Sequence, residues 1–323
     1  MQDIIKSTRK RHLMIAIAQW FDTSLTGRYM DGHIPTWVTW TRWLPFLTVH
    51  LICLAVIWVG WSWVAVAAAV SMYLIRMFAI TGFYHRYFSH KTFKTSRPFQ
   101  FVLALLGNSA MQRGPLWWAA NHRQHHVHSD SEKDIHSPVQ HGFWWSHLGW
   151  ITYPANFGTD FKAVPDLAKF PELRFLDRFD VLVPTLLGTG MFVFGTVLNR
   201  LAPELGTSGA QMLIWGFFIS TVVLAHATFS INSLTHMFGW KRYQTDDESR
   251  NNFWLALVTL GEGWHNNHHY CPTTVRQGFF WWEIDLTYYG LLFLEQMGLI
   301  WDLKPVPDRV RNAAPSALAA SSA

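Results

Sequence analysis

The sequence predicts an all-α integral membrane fold with four transmembrane helices, and three observations predict it. Charged residues make up only 15% of the 323 positions, while hydrophobic residues reach 50% and aromatic ones 16%. Soluble domains carry roughly 25% charge, so the deficit points to lipid-facing surface. The apolar residues are gathered into long runs that come in pairs. Beside those runs lie three short histidine arrays: His85 with His90, then His122, His125 and His126, then His265, His268 and His269.

The first apolar run, Leu44 to Ile80, is broken by Gly60 and carries His50 and Arg76. At about 20 residues per span it fits two helices, 44–60 and 61–80, joined by a tight turn. A second pair reads as 181–198 and 212–229, separated by Arg200, Pro203 and Glu204. The 19 tryptophans suit membrane interfaces, where the ring meets acyl chain and the N–H meets water or headgroup. Mean hydropathy is only +0.08, so segments 81–180 and 230–312 are expected outside the bilayer, in the cytosol or at its interface. The apolar but interrupted stretch Pro98 to Ala120 reads as one interfacial helix rather than a fifth span. The aromatic segment Gly278 to Trp282, with Tyr288 and Tyr289, is expected at headgroup level. The tail 313–323 is small and polar and is expected to be disordered. No fixed-period repeat or Gly/Ser/Pro-rich linker divides the chain, so 1–323 reads as a single domain.

Basic residues set the orientation. Lys6, Arg9, Lys10, Arg11, Arg28 and Arg42 precede the first span, and Arg86, Lys91, Lys94 and Arg97 follow the second. Only Arg200 lies between spans three and four, whereas Lys241, Arg242 and Arg250 come after them. By the positive-inside rule both termini and every histidine array belong in the cytoplasm. The N-terminus lacks a signal peptide's apolar core. A net charge of +5 could suggest nucleic acid, but the cations flank spans instead of forming one strip with stacking aromatics. Cys53 and Cys271 offer no disulfide framework and no CxxC motif.

In the order HxxHH, imidazoles at i, i+3 and i+4 share one face of an α-helix. Two such helices can enclose metal between them. Imidazole suits zinc, copper, iron and nickel, so ligand type alone does not choose the ion. His85 and His90 are i and i+5, about 140° apart on an α-helix, and would need a frayed helix end or two different metals. Just past span four, Asn232 and His236 are i and i+4, which lets Asn232 approach, directly or through water, a metal that His236 binds.

The motifs HRYFSH at His85 to His90, HRQHH at His122 to His126, NSLTH at Asn232 to His236 and HNNHH at His265 to His269 resemble those of membrane fatty acyl desaturases of the acyl-CoA Δ9 (stearoyl-CoA) type. The similarity takes in Asp134 to Pro138, Gly142 to His147 and Gly261 to Trp264, and spans roughly residues 40 to 290. It implies four spans with a cytosolic helical cap holding a histidine-rich dimetal site. The implied ligands of two irons are His85, His90, His122, His125, His126, His236, His265, His268 and His269, with Asn232 reaching one metal through water. These ligands are the catalytic residues; no other cofactor-binding residue is implied. His128, His136, His141 and His147 match no metal-binding position.

The resemblance implies oxidative chemistry: O₂ as co-substrate and a cis double bond, at position 9, in a long saturated acyl chain. Such C–H bonds offer no acidic proton, so an oxidant is required, and zinc cannot cycle electrons. An apolar tunnel past the metals would set the position attacked. The chain has no HPGG haem motif, so a separate electron donor, ferredoxin or a cytochrome b5-like protein, is expected on the basic face. Animal members of that type carry Arg-Asp just before the second array; here Ala120 and Asn121 stand there. The segment Gln112 to Trp118 resembles bacterial and cyanobacterial relatives, which include both acyl-CoA and acyl-lipid forms. Acyl-CoA is the favoured substrate and acyl-lipid the alternative, with Arg113 a candidate for a headgroup phosphate. A membrane hydroxylase or alkane monooxygenase shares the chemistry. A metal transporter would need ligands near mid-bilayer, where only His50 and His226 fall, and no HExxH signals a zinc protease.

Overall fold

The computed structural model describes residues 13–25 and 36–313, with side chains in the second stretch from residue 41. The basic N-terminal cluster from Lys6 to Arg11, Arg28 and the tail beyond Ala313 lie outside the described residues. Four helices are long and apolar enough to cross a membrane: α1 (Thr41–Val59), α2 (Trp63–Ser89), α6 (Leu182–Leu201) and α7 (Gly209–His236). Between and after them come α3 (Arg97–Asn108), α4 (Pro115–His128), α5 (Pro171–Arg178), α8 (Phe253–Val258), α9 (His265–Tyr270) and α10 (Leu286–Gln296), which with connecting turns build a cap. Two-residue strands β1 (Lys94–Thr95) and β2 (Ile300–Trp301) pair antiparallel and fasten the end of the chain to the turn after His90.

The spans agree with the predicted ones in number and place but differ in length. Both α2 and α7 continue beyond their predicted ends into the cap, so each delivers histidines there directly. In α2 the continuation, Ala79–Ser89, is π-helical and almost wholly buried. Its last bond runs from the His90 N–H to the His85 carbonyl, 3.2 Å, an i to i+5 link. That winding returns residues five apart to the same side, which removes the obstacle that α-helical geometry posed for His85 and His90.

The expected single interfacial helix from Pro98 to Ala120 is instead two, α3 and α4, separated by a turn at 109–114. Met111 and Arg113 take positive φ there, 60° and 69°. Gly114 is required because Asp177 of α5 crosses so closely that a Cβ would meet its backbone at 2.3 Å. Asp177 in turn accepts hydrogen bonds from the N–H groups of Leu116 (3.1 Å) and Trp117 (2.8 Å), capping α4 from another element. Arg123 of α4 donates to the terminal carbonyls of α2, Phe88 (2.8 Å) and Ser89 (3.0 Å). Two helices that carry histidines are thereby locked together before any metal is considered. Of the aromatic segment, Phe279 is buried, whereas Trp281 is 80% exposed.

Candidate metal centre

All nine predicted histidines converge, in two adjoining groups. His85, His90, His122, His126 and His268 form one, and His125, His236, His265 and His269 the other, each with its ligand nitrogens within 4.8 Å of one another. The groups abut where the rings of His126 and His269 stack at 4.4 Å. Each HxxHH array is divided between them. On α4, His122 and His126 are offset by about 40° and face one group, while His125, about 60° to the other side, faces the second. On α9 the pairing is reversed: His265 and His269 join the second group and His268 the first.

Inside the first group Nε2 atoms approach one another at 3.0 Å (His85 to His268), 2.9 Å (His268 to His126), 3.1 Å (His126 to His122) and 2.8 Å (His122 to His90). In the second, His236 and His265 stand 3.1 Å apart. Metal–nitrogen bonds of about 2.1 Å set at right angles place neighbouring nitrogens about 3 Å apart.

The far side of the rings makes the stronger test. A carboxylate can only accept, so a ring nitrogen facing one must carry the proton. Nδ1 of His85 faces Glu262 at 2.5 Å, that of His125 faces Asp134 at 2.9 Å, that of His236 faces Asp130 at 2.8 Å and that of His269 faces Asp247 at 2.5 Å. In these four rings Nε2 is left with a bare lone pair aimed inward, the tautomer a metal requires. For His269 that Nε2 is buried and meets no donor among the described residues. Four carboxylate charges also match two divalent ions. The donor set therefore fits metal.

The titration behaviour agrees. Burial, then the neighbouring imidazoles, hold His90, His122, His126, His265 and His268 well below the ordinary histidine range, so they stay neutral. Burial also lowers His269, to about 4, against the pull of Asp247. Burial resists the charge on Asp130, but His236, Ser137 and the Glu248 N–H together outweigh it and hold the carboxyl at about 2.

A cavity of about 130 Å³ opens beside the first group, lined by His122, Trp118, Asn121, Asn232 and Phe229 among others. Asn232 lies in its wall. His136, matched to no metal position, is buried in the same wall, with Nδ1 3.5 Å from Asp134 and its ring 4.4 Å from His125. His141 is exposed, and His50 and His226 face each other within the spans, Nε2 to Nε2 at 3.0 Å. Asp130 and Asp247 were not singled out from the sequence, and Asp134 and Glu262 were noted only inside family-like segments. Asp130 meets His236 across 106 residues, so only the fold brings them together.

Fold and centre together define a helical membrane protein built around a histidine-rich site able to hold metal. Residues 61–291 match the family described as fatty acid desaturase. Relatives include an sn-2 palmitoyl-lipid 9-desaturase of Nostoc sp. (strain 36), 37% identical over 80% of this chain and 88% of the relative. An sn-1 stearoyl-lipid 9-desaturase of Anabaena variabilis is 36% identical over 83% of this chain and 94% of the relative. An acyl-CoA 5-desaturase of Anemone leveillei is 35% identical over 82% and 78%. The chain belongs to the fatty acid desaturase family.

Proposed function

We propose that this single-domain protein is an O₂-dependent desaturase that inserts a cis double bond, at position 9, into a long saturated acyl chain. The nine histidines would hold two irons, and Asn232 would reach one of them through water. Iron, when bound, supplies the one-electron redox chemistry that O₂ activation needs, which zinc cannot. The protein's own residues do the rest. Asp130, Asp134, Asp247 and Glu262 hold the ligand protons on Nδ1 and fix each ring's aim. Trp118, Phe229 and the other walls of the cavity exclude water and hold one stretch of chain beside His122. The observation that supports this reading is the pair of adjoining imidazole groups, the first of which faces, through His122, a mostly apolar cavity.

Per turnover two hydrogens leave the chain and O₂ becomes two waters, which draws two electrons and two protons from outside. A ferredoxin or cytochrome b5-like carrier is the proposed source, docking on the cytoplasmic face where the positive-inside pattern puts the cap and both termini. The sequence favoured a thioester substrate. The lipid substrates for which most relatives are named and the absence of Arg-Asp at Ala120 and Asn121 favour a chain esterified in a membrane lipid, with acyl-CoA the alternative. A hydroxylase would use the same centre and is separated by product mass. Expression in a desaturase-deficient cell, with double bonds located by mass spectrometry in lipid and thioester pools separately, tests the proposal. New 9-position unsaturation supports it; products heavier by one oxygen, or active enzyme free of iron, refute it.

A further inference from the structure

The cavity beside His122 has a larger neighbour. A second cavity of about 690 Å³ runs between α1 and α6, and the two share Met111, Arg113 and Ile151 in their walls. These three residues are the junction between a small arm that ends at the metal centre and a large arm that does not. The charged residues described in the large arm lie at one end. Arg42 stands near the start of α1 and Asp180 two residues before α6, at the cap end of both spans. From there the lining turns apolar through Pro184, Gly188, Phe192 and Phe217. Phe192 is ten residues into α6, about 15 Å along the helix, so this arm descends to roughly mid-bilayer.

Among the described residues, two cations and one carboxylate line the polar end. The guanidinium carbons of Arg42 and Arg113 lie 4.3 and 4.5 Å from the centre of the Phe157 ring, which both Arg side chains therefore flank. Arg113 Nη1 is 3.3 Å from Asp180 and Nη2 donates to the Phe157 carbonyl at 2.7 Å. The Arg113 Nε–H and the Trp20 Nε1–H are buried here and meet no acceptor among the described residues. Buried N–H groups without acceptors are rare and costly, and the spare donors of Arg113 and Trp20 beside a guanidinium call for an anionic, oxygen-rich group. Arg113 also holds a positive φ of 69°, backbone strain of the kind that persists at ligand-binding positions.

Resting on the desaturase reading, we infer that the substrate is a diacyl glycerolipid with an anionic headgroup. One acyl chain enters the small arm beside His122, the second fills the large arm between α1 and α6, and a headgroup oxygen anion is bound by Arg113 and Arg42 at their junction. A glycerophospholipid places its phosphate within a few bonds of both ester carbonyls, as this junction demands. Coenzyme A carries one chain, and its phosphates are separated from the thioester by the pantetheine arm.

The test reads binding in metal-free full-length protein by native mass spectrometry, so it does not depend on turnover. The probes are distearoyl phosphatidylglycerol, distearoyl monogalactosyl diglyceride, stearoyl lysophosphatidylglycerol and stearoyl-CoA. Diacyl phosphatidylglycerol should bind at least tenfold more tightly than the neutral galactolipid or the thioester, the order that one charge-assisted hydrogen bond is worth. Arg113→Gln should erase the preference for the anionic headgroup, and Arg113→Lys should recover part of it. Thr189→Trp, which puts bulk into the large arm, should lower the ratio of diacyl to lyso binding about tenfold. Equal loss of both lipids would mean that a single chain threads the two cavities in series and would overturn the inference, as would no change in the ratio. Should a variant not fold, the wild-type order of the four probes decides alone, and equal or tighter binding of stearoyl-CoA overturns the inference. Iron-loaded protein that desaturates none of the four would instead refute the underlying function.

Discussion

Removing the charge behind a single histidine should empty one half of the centre and leave the other. Asp247 accepts from His269 Nδ1 at 2.5 Å and from Ser249 N and Oγ at 3.1 and 2.5 Å. Burial opposes its ionisation, yet the His269 contact holds its carboxyl far below the usual carboxylate range. Asp247→Asn keeps the volume and removes the charge. Loss of such a partner typically costs 10 to 100-fold in metal affinity, about 1.4 to 2.7 kcal/mol. The loss falls on the group of His125, His236, His265 and His269, because Asp247 touches none of the other five rings. Dialysis against a chelator graded to spare the wild type should then lower iron from two per chain to one, read by plasma mass spectrometry, with turnover lost in parallel. Asp246→Asn, one residue away on the exposed surface, serves as the control. An Asp247→Asn protein that keeps two irons and wild-type turnover under the same dialysis would refute the assignment of these carboxylates.

Four further outcomes are expected. His125→Ala and His268→Ala, one from each group, should each abolish turnover and lower iron content while membrane insertion, checked by protease accessibility, is unchanged. His141→Ala should be nearly silent, with stability altered by no more than about 0.5 kcal/mol, and complete loss of activity there would show that its role was misread. Gly107→Ala should destabilise the protein by about 1–3 kcal/mol through overpacking, because its Cβ would lie 2.1 Å from the buried Tyr84 ring; an unchanged melting temperature would contradict the packing of α3 on α2. Burial raises the Asp166 carboxyl, but Arg123 and Lys91 outweigh it and hold the group at about 2, below its ordinary 3.8. A depressed folded value means that the stabilisation is present above about pH 4 and disappears as pH falls towards 2. Asp166→Asn should remove that part of the acid-unfolding slope, and identical slopes in variant and wild type would dismiss the ion pair as a stabilising element.

What could be read from the chain depended on how local each signal was. The spans were legible because apolar length is a local property. HxxHH was legible because i, i+3 and i+4 fall on one helical face whatever the tertiary context. The winding of 79–89 was not, since the composition of a run such as Ala79 to Phe83 is the same in α or π form. Gly114 and Pro115 did announce an interruption, yet the apolar residues on both sides suggested one helix; Asp177, more than 60 residues on, sets where α4 begins. The carboxylates behind the ligands were hidden for the same reason. Only the Asp134 to His125 contact spans fewer than ten residues, and Asp130 and Asp247 looked like ordinary loop acids until the cap closed over them.

The loosened turn before His90 limits how this protein can be made more robust. Chains relax readily into 3.6-residue winding, and consensus or thermostabilising redesign usually rewards that relaxation. Substitutions that relaxed 79–89 into that winding with its length unchanged would leave His90 five α-helical residues, about 140°, round from His85 and swing it away from its neighbours. A more heat-resistant variant obtained by that route would be a sturdier scaffold with a broken metal cage.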